Sequence, residues 1–151
     1  MRTFIVTAAL SGALMATGSL AALSQDAAEL TVRESPEHGQ YVADGEGMAL
    51  YMFEADTRGE GDTEAVSTCY DDCAGAWPPL VAEGAQAGDQ VESDLIGTIE
   101  RRDGEMQVTY GGWPLYYFVR DEAAGDTNGQ DVEGFGAEWY LVSPSGEIVG
   151  D

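Results

Sequence analysis

From Met48 to Glu54 the chain is apolar on both parities of an extended segment. Tyr51 and Phe53 fall on one face, Leu50 and Met52 on the other. A strand apolar on both faces is one buried between two layers. Shorter alternating runs occupy Glu29 to Arg33 and Gln40 to Ala43. Residues 55–66 are rich in glycine and acids and read as a solvated loop. Ser67 to Trp77 accommodates one helical turn, with Asp71 and Asp72 favourable near its start. Pro78-Pro79 ends that turn, because proline cannot donate to a continuing helix.

Residues 83–93, mostly alanine, glycine and acids, read as a linker. Beyond it Leu95–Arg102, Glu105–Tyr110 and Trp113–Val119 are strand-like. Asp103-Gly104 and Gly111-Gly112 between them tolerate positive φ and suit two-residue hairpin turns. This predicts a three-stranded antiparallel meander. Residues 120–136 form a second acidic, glycine-rich loop. Ala137–Val142 follows as a strand, Pro144-Ser145-Gly146 as a turn, and Glu147–Val149 as a last short strand.

One phrase occurs twice. Leu50-Tyr51-Met52-Phe53-Glu54-Ala55-Asp56 returns 65 positions later as Leu115-Tyr116-Tyr117-Phe118-Val119-Arg120-Asp121, and each copy leads on to a tryptophan, Trp77 or Trp139. Repetition of a unit this size bears on the whole architecture. The expected fold is all-β: a pseudo-symmetric two-repeat antiparallel β-sandwich or open barrel with one short helical turn near the cysteine pair. The repeats cover about residues 40–82 and 95–143 of a single β domain, 40–151, preceded by an N-terminal segment, 25–39.

The first residues read as an export signal, 1–24. Arg2 supplies the positive charge, Phe4 to about Leu23 is apolar, and Ala22-Leu23-Ser24 offers a cleavage site after Ser24, with Ala21 as the other candidate. The run is short for a spanning helix. Cleavage leaves no membrane insertion and an exported, periplasmic or secreted chain. Six arginines and no lysine face 28 carboxylates, for a net charge of −22. Such a surface repels nucleic acid and anionic lipid and keeps a chain soluble and monomeric.

Candidate chemistry is sparse. In an exported chain two cysteines, Cys69 and Cys73, suggest a disulfide, which would pin a small loop. A reduced pair would instead suit copper or electron exchange, with His38 as a third ligand if the fold allowed it. Tyr51, Phe53, Tyr116 and Phe118 are either core packing or an aromatic platform for a sugar, flat cofactor or cation. Asp56 and Asp121 stand where strand gives way to loop. There they either accept loop amides or bind calcium with Asp62, Glu64, Asp126, Asn128 and Asp131, although no calcium-loop spacing is present. No catalytic residue is recognised: no serine sits in a nucleophile elbow, no carboxylate pair stands out, and Cys-x-x-Cys-His for haem is absent.

Taken together, Tyr51-Phe53-Asp56, Tyr116-Phe118-Asp121, the block Cys69-x3-Cys73-x3-Trp77-Pro78-Pro79-Leu80 and the approach Gly112-x-Pro114-Leu115-Tyr116 resemble the secreted-repeat lipoprotein family. These are bacterial exported proteins with a Tyr-x-aromatic-x-x-Asp motif and no established activity. The resemblance spans about residues 40–143 and implies an exported location and a fold, not a catalytic residue. Many members are lipid-anchored, whereas this chain has no cysteine near its cleavage region. The expected function is that of an exported, non-enzymatic binding or structural domain of the bacterial cell envelope. Its partner would be a small ligand, a glycan or an envelope protein. The alternative is a redox or copper-handling accessory protein using Cys69 and Cys73. No cofactor is called for beyond that possible calcium or copper.

Overall fold

The computed structural model describes residues 27–150; the expected signal, 1–24, lies outside them. The strands are β1 (Ala27–Ser35), β2 (Gly39–Asp44), β3 (Tyr51–Phe53), β4 (Gly84–Ala87), β5 (Ile96–Glu100), β6 (Met106–Tyr110), β7 (Trp113–Pro114), β8 (Val132–Gly134) and β9 (Ala137–Leu141), with one short helix, α1 (Asp72–Ala76). They form three small sheets, ordered β2-β1-β4, β3-β9-β8 and β5-β6-β7. Among the described residues no barrel closes, and the sandwich reading fits. Among the described residues no helix is long and apolar enough to cross a membrane.

The two-faced strand organises the interior. Tyr51 and Phe53 enter one apolar cluster with Tyr41, Ala43, Cys69, Trp77, Tyr116, Phe118 and Trp139. Leu50 and Met52 enter the other with Leu30, Val42, Val108, Tyr110 and Leu115. β2 behaves the same way, because alternate side chains of an extended segment point to opposite faces.

Several local expectations are corrected. The stretch 83–93 is not all linker: β4 pairs in parallel with β1, from Ala27↔Gly84 to Leu30↔Ala87, so the sheets are not purely antiparallel. Small residues permit the close approach there; a Cβ on Gly88 would meet the Leu30 carbonyl oxygen at 2.8 Å. The second acidic loop contains β8, which pairs with β9 through the tight turn Phe135-Gly136. Only Trp113 and Pro114 of the expected strand 113–119 pair regularly with β6. Tyr116 instead makes single bridges to Tyr51 and to Pro79. Leu115 N still donates to Val108 O, but Val108 N donates away from it, to Leu80 O.

Of the two predicted turns, Gly111-Gly112 does join Tyr110 to Trp113 as two residues, both at positive φ. The first hairpin closes over three, Arg102 to Gly104, because Arg101 N donates to Glu105 O across it. The last expected strand reduces to one bridge, Val142↔Ile148.

Candidate functional site

The duplicated motif meets itself at the centre of the molecule. Tyr51 N donates to Tyr116 O at 2.8 Å, and Tyr116 N returns the bond to Tyr51 O at 2.9 Å. The side chains then cross between copies. The Tyr51 hydroxyl donates to Asp121 Oδ2 and the Tyr116 hydroxyl to Asp56 Oδ2, each at 2.6 Å. Each tyrosine therefore serves the aspartate of the other repeat.

The rings interleave in the same reciprocal way. Phe118, Trp77, Trp139 and Phe53 form one stack with centroids 4.0, 3.9 and 4.1 Å apart, the two indoles within 2° of parallel. The phenylalanine of each repeat covers the tryptophan of the other. Tyr51 meets Trp77 edge-on at 5.4 Å, and Tyr116 meets Trp139 edge-on at 5.2 Å. All six rings are buried, so each contributes its full apolar area as well as the pair geometry. This is the packing reading of Tyr51, Phe53, Tyr116 and Phe118; their faces are not a platform open to a ligand.

The aspartates also anchor the loops that follow them. Asp56 Oδ1 accepts from Thr68 N and Thr68 Oγ1 at 2.7 and 2.8 Å, and Asp121 Oδ1 accepts from Asn128 N at 2.8 Å. Burial raises both carboxyls above the ordinary aspartate range, against these hydrogen bonds, which lower them. Burial, followed by the neighbouring aspartate, also drives the Tyr51 phenol far upward; Tyr116 shifts the same way for the same two reasons. Both phenols therefore remain protonated donors. The arrangement can cross-link the two repeats; both donors and both carboxylates are spent on each other and on backbone.

The two latches differ. In the first repeat, the Ser67 and Tyr116 hydroxyls lie 2.6 Å apart. Arg101, only 3 % exposed, donates from Nη1 to Ser67 Oγ and Gln107 Oε1 and from Nη2 to Cys69 O. Cys69 and Cys73 form the disulfide, and no free cysteine remains. In the second repeat Gly129 N donates to the Tyr51 hydroxyl. A Cβ at Gly129 would come within 2.9 Å of both Tyr51 and Trp77, so only glycine fits there.

Arg101, Ser67, Gln107, Thr68 and Gly129 were not picked out from sequence. A signal existed for Arg101, which shares a face with buried Ile99 two positions earlier. The remaining candidates stay dispersed. His38 sits in the β1–β2 turn beside Glu37. Asp62, Glu64 and Asp131 are exposed, while Asp126 caps the amides of Glu122 and Ala123. Among the described residues no three His, Cys, Asp or Glu side chains gather into a metal-holding group. The joined sulfurs leave no thiolate pair for copper.

No curated protein and no solved structure matches the chain. A family model does, twice, over residues 33–81 and 97–143, and these segments contain the two motif copies with both tryptophans. The chain therefore belongs to the family described as a secreted repeat of unknown function.

Proposed function

We propose that this is a non-enzymatic binding domain of the bacterial cell envelope, periplasmic or released, in which the two repeats are scaffold and the long acidic loops carry the contacts. The observation that supports this reading is the fate of the motif. Tyr51, Phe53, Asp56, Trp77, Tyr116, Phe118, Asp121 and Trp139 are all buried, and the hydroxyls and carboxylates among them are spent on one another and on neighbouring loop groups. Groups consumed in this way hold a fold and leave recognition to the loops, which a rigid scaffold positions. The loops are strongly acidic, which favours partners bearing positive charge or hydroxyl-rich surfaces.

A variant carrying Asp62→Asn, Glu122→Gln and Asp131→Asn tests the assignment. All three side chains are exposed, so its unfolding midpoint should match wild type. Both proteins are passed over envelope fractions of the source organism at one salt concentration. The loop variant should lose most of the retained fraction. Equal retention of the two proteins would contradict the role given to the loops.

A further inference from the structure

Arg101 and Arg102 stand together in a chain with more than four acids for every base, yet among the described residues neither has a carboxylate within ion-pairing distance. The ion pairs that form belong to Arg58 and His38. The two guanidinium carbons lie 4.3 and 3.6 Å from the centroid of one ring, Tyr70. Arg101 is almost wholly buried, and its Nε has no hydrogen-bond partner. A buried cation without a counter-charge is costly, and contact with an aromatic ring offsets only part of that cost. Asp56 exerts some pull on Arg101, but across the intervening hydroxyls of Ser67 and Tyr116.

These cations line an open groove of about 420 Å³, together with Ser67, Tyr70, Glu64 and Glu100. We propose that the groove binds a small monocarboxylate, which pairs with the exposed guanidinium of Arg102 and supplies the negative charge that Arg101 lacks. This goes beyond the loop contacts proposed above, since it takes a ligand of the opposite charge. A planar guanidinium fork matches the two oxygens of a carboxylate. Glu64 and Glu100 on the same groove disfavour a second negative charge, so a dianion such as phosphate is the poorer ligand. Occupancy is also felt in the core. Arg101 Nη1 lies 2.9 Å from Ser67 Oγ, Ser67 Oγ is 2.6 Å from the Tyr116 hydroxyl, and that hydroxyl is 2.6 Å from Asp56. A ligand that fixes Arg101 therefore stabilises the first repeat's latch.

The test titrates the full chain with sodium acetate against sodium chloride and phosphate at constant ionic strength, following the unfolding midpoint and the amide resonances of residues 66–71 and 100–103. Acetate should raise the midpoint saturably, since a ligand of the folded state stabilises it by mass action. Arg102→Ala should weaken acetate about tenfold, the equivalent of one charge-assisted hydrogen bond. Glu100→Gln should tighten it. Arg102 is exposed and outside the core, so both variants remain folded. The proposal is overturned if acetate acts no differently from chloride, if phosphate binds as well as acetate, or if Arg102→Ala binds acetate like wild type. Failure of the broader reading is seen separately, in the loop variant, where both arginines are intact.

Discussion

The two repeats build the same joint from different parts. Tyr51 and Tyr116 are hydrogen-bonded to equivalent aspartates at the same distance, and Trp77 and Trp139 occupy equivalent places in one stack. Around that shared joint the Tyr116–Asp56 side is closed by the first repeat's disulfide and serine with a buried arginine reaching over from the second, whereas the Tyr51–Asp121 side uses a bare glycine amide and an asparagine. The contrast teaches that the reciprocal Tyr–Asp–Trp contact is the invariant part of the architecture, while the loop that closes over it is free to vary. The second repeat supplies Arg101 to the closure over the Tyr116–Asp56 bond, so that latch, too, is built from both halves.

The largest effect that would break the comparison comes from the stack. Trp77→Ala or Trp139→Ala removes two stacked partners and an edge contact, and either should cost about 3–5 kcal/mol in denaturant unfolding. Similar losses for the two indoles are expected, because each lies between the other and a phenylalanine. Next, Tyr116→Phe and Tyr51→Phe each strand a buried carboxylate oxygen, at about 1–3 kcal/mol. The two losses should be similar, since Tyr116→Phe also strips a partner from Ser67 and Tyr51→Phe strips one from the Gly129 amide. In the second repeat alone, Gly129→Ala forces a methyl against Tyr51 and Trp77 and should cost about 1–3 kcal/mol. In the first repeat alone, Cys69→Ser with Cys73→Ser opens a very short loop and should cost about 2 kcal/mol on the loop-entropy account.

Much of this could be read from the chain before any coordinates. The alternation at 48–54 already placed β3 between two layers, and Gly111-Gly112 announced its turn. For the aspartate ending each motif copy, loop anchoring and calcium binding were both open; the bonds from Thr68 and Asn128 show the anchoring. What could not be read was the exchange of partners. Nothing local to Tyr51 distinguishes Asp56, five positions on, from Asp121, 70 positions on; strand geometry decides, because the two tyrosine backbones bond to each other and carry each hydroxyl into the opposite repeat. β4 escaped notice because Gly84–Ala87 has no hydrophobic pattern; its pairing with β1 rests on backbone bonds and small side chains. Arg101 escaped because a charged residue at a strand end reads as solvated until its buried acceptors are known.

Subtler changes sharpen the comparison further. Asp71, inside the disulfide loop, holds φ 55° and ψ −122°, a region suited to glycine. Asp71→Gly should stabilise the first repeat by about 0.5 kcal/mol, seen as a raised unfolding midpoint. The smallest effect is in pH. Because burial raises the folded pKa of Asp121, the folded chain holds that proton more tightly than the unfolded one. Its favourable contribution is present below the ordinary carboxylate range and lost as pH rises through the raised value. Relative to Asp121→Asn, wild type should therefore lose ground as pH rises above the ordinary carboxylate range, from about pH 4 upward. A difference that is flat or grows with pH would contradict the burial assigned to this group.

The reciprocal exchange itself is tested most directly by paired double-mutant cycles using Tyr51→Phe, Tyr116→Phe, Asp56→Asn and Asp121→Asn. The cross-repeat pairs, Tyr51 with Asp121 and Tyr116 with Asp56, should show coupling of about 1–2 kcal/mol, while the same-repeat pairs should add to within about 0.5 kcal/mol. Coupling confined to Tyr51 with Asp56 and Tyr116 with Asp121 would show that each repeat closes on itself, and the shared joint described here would be wrong.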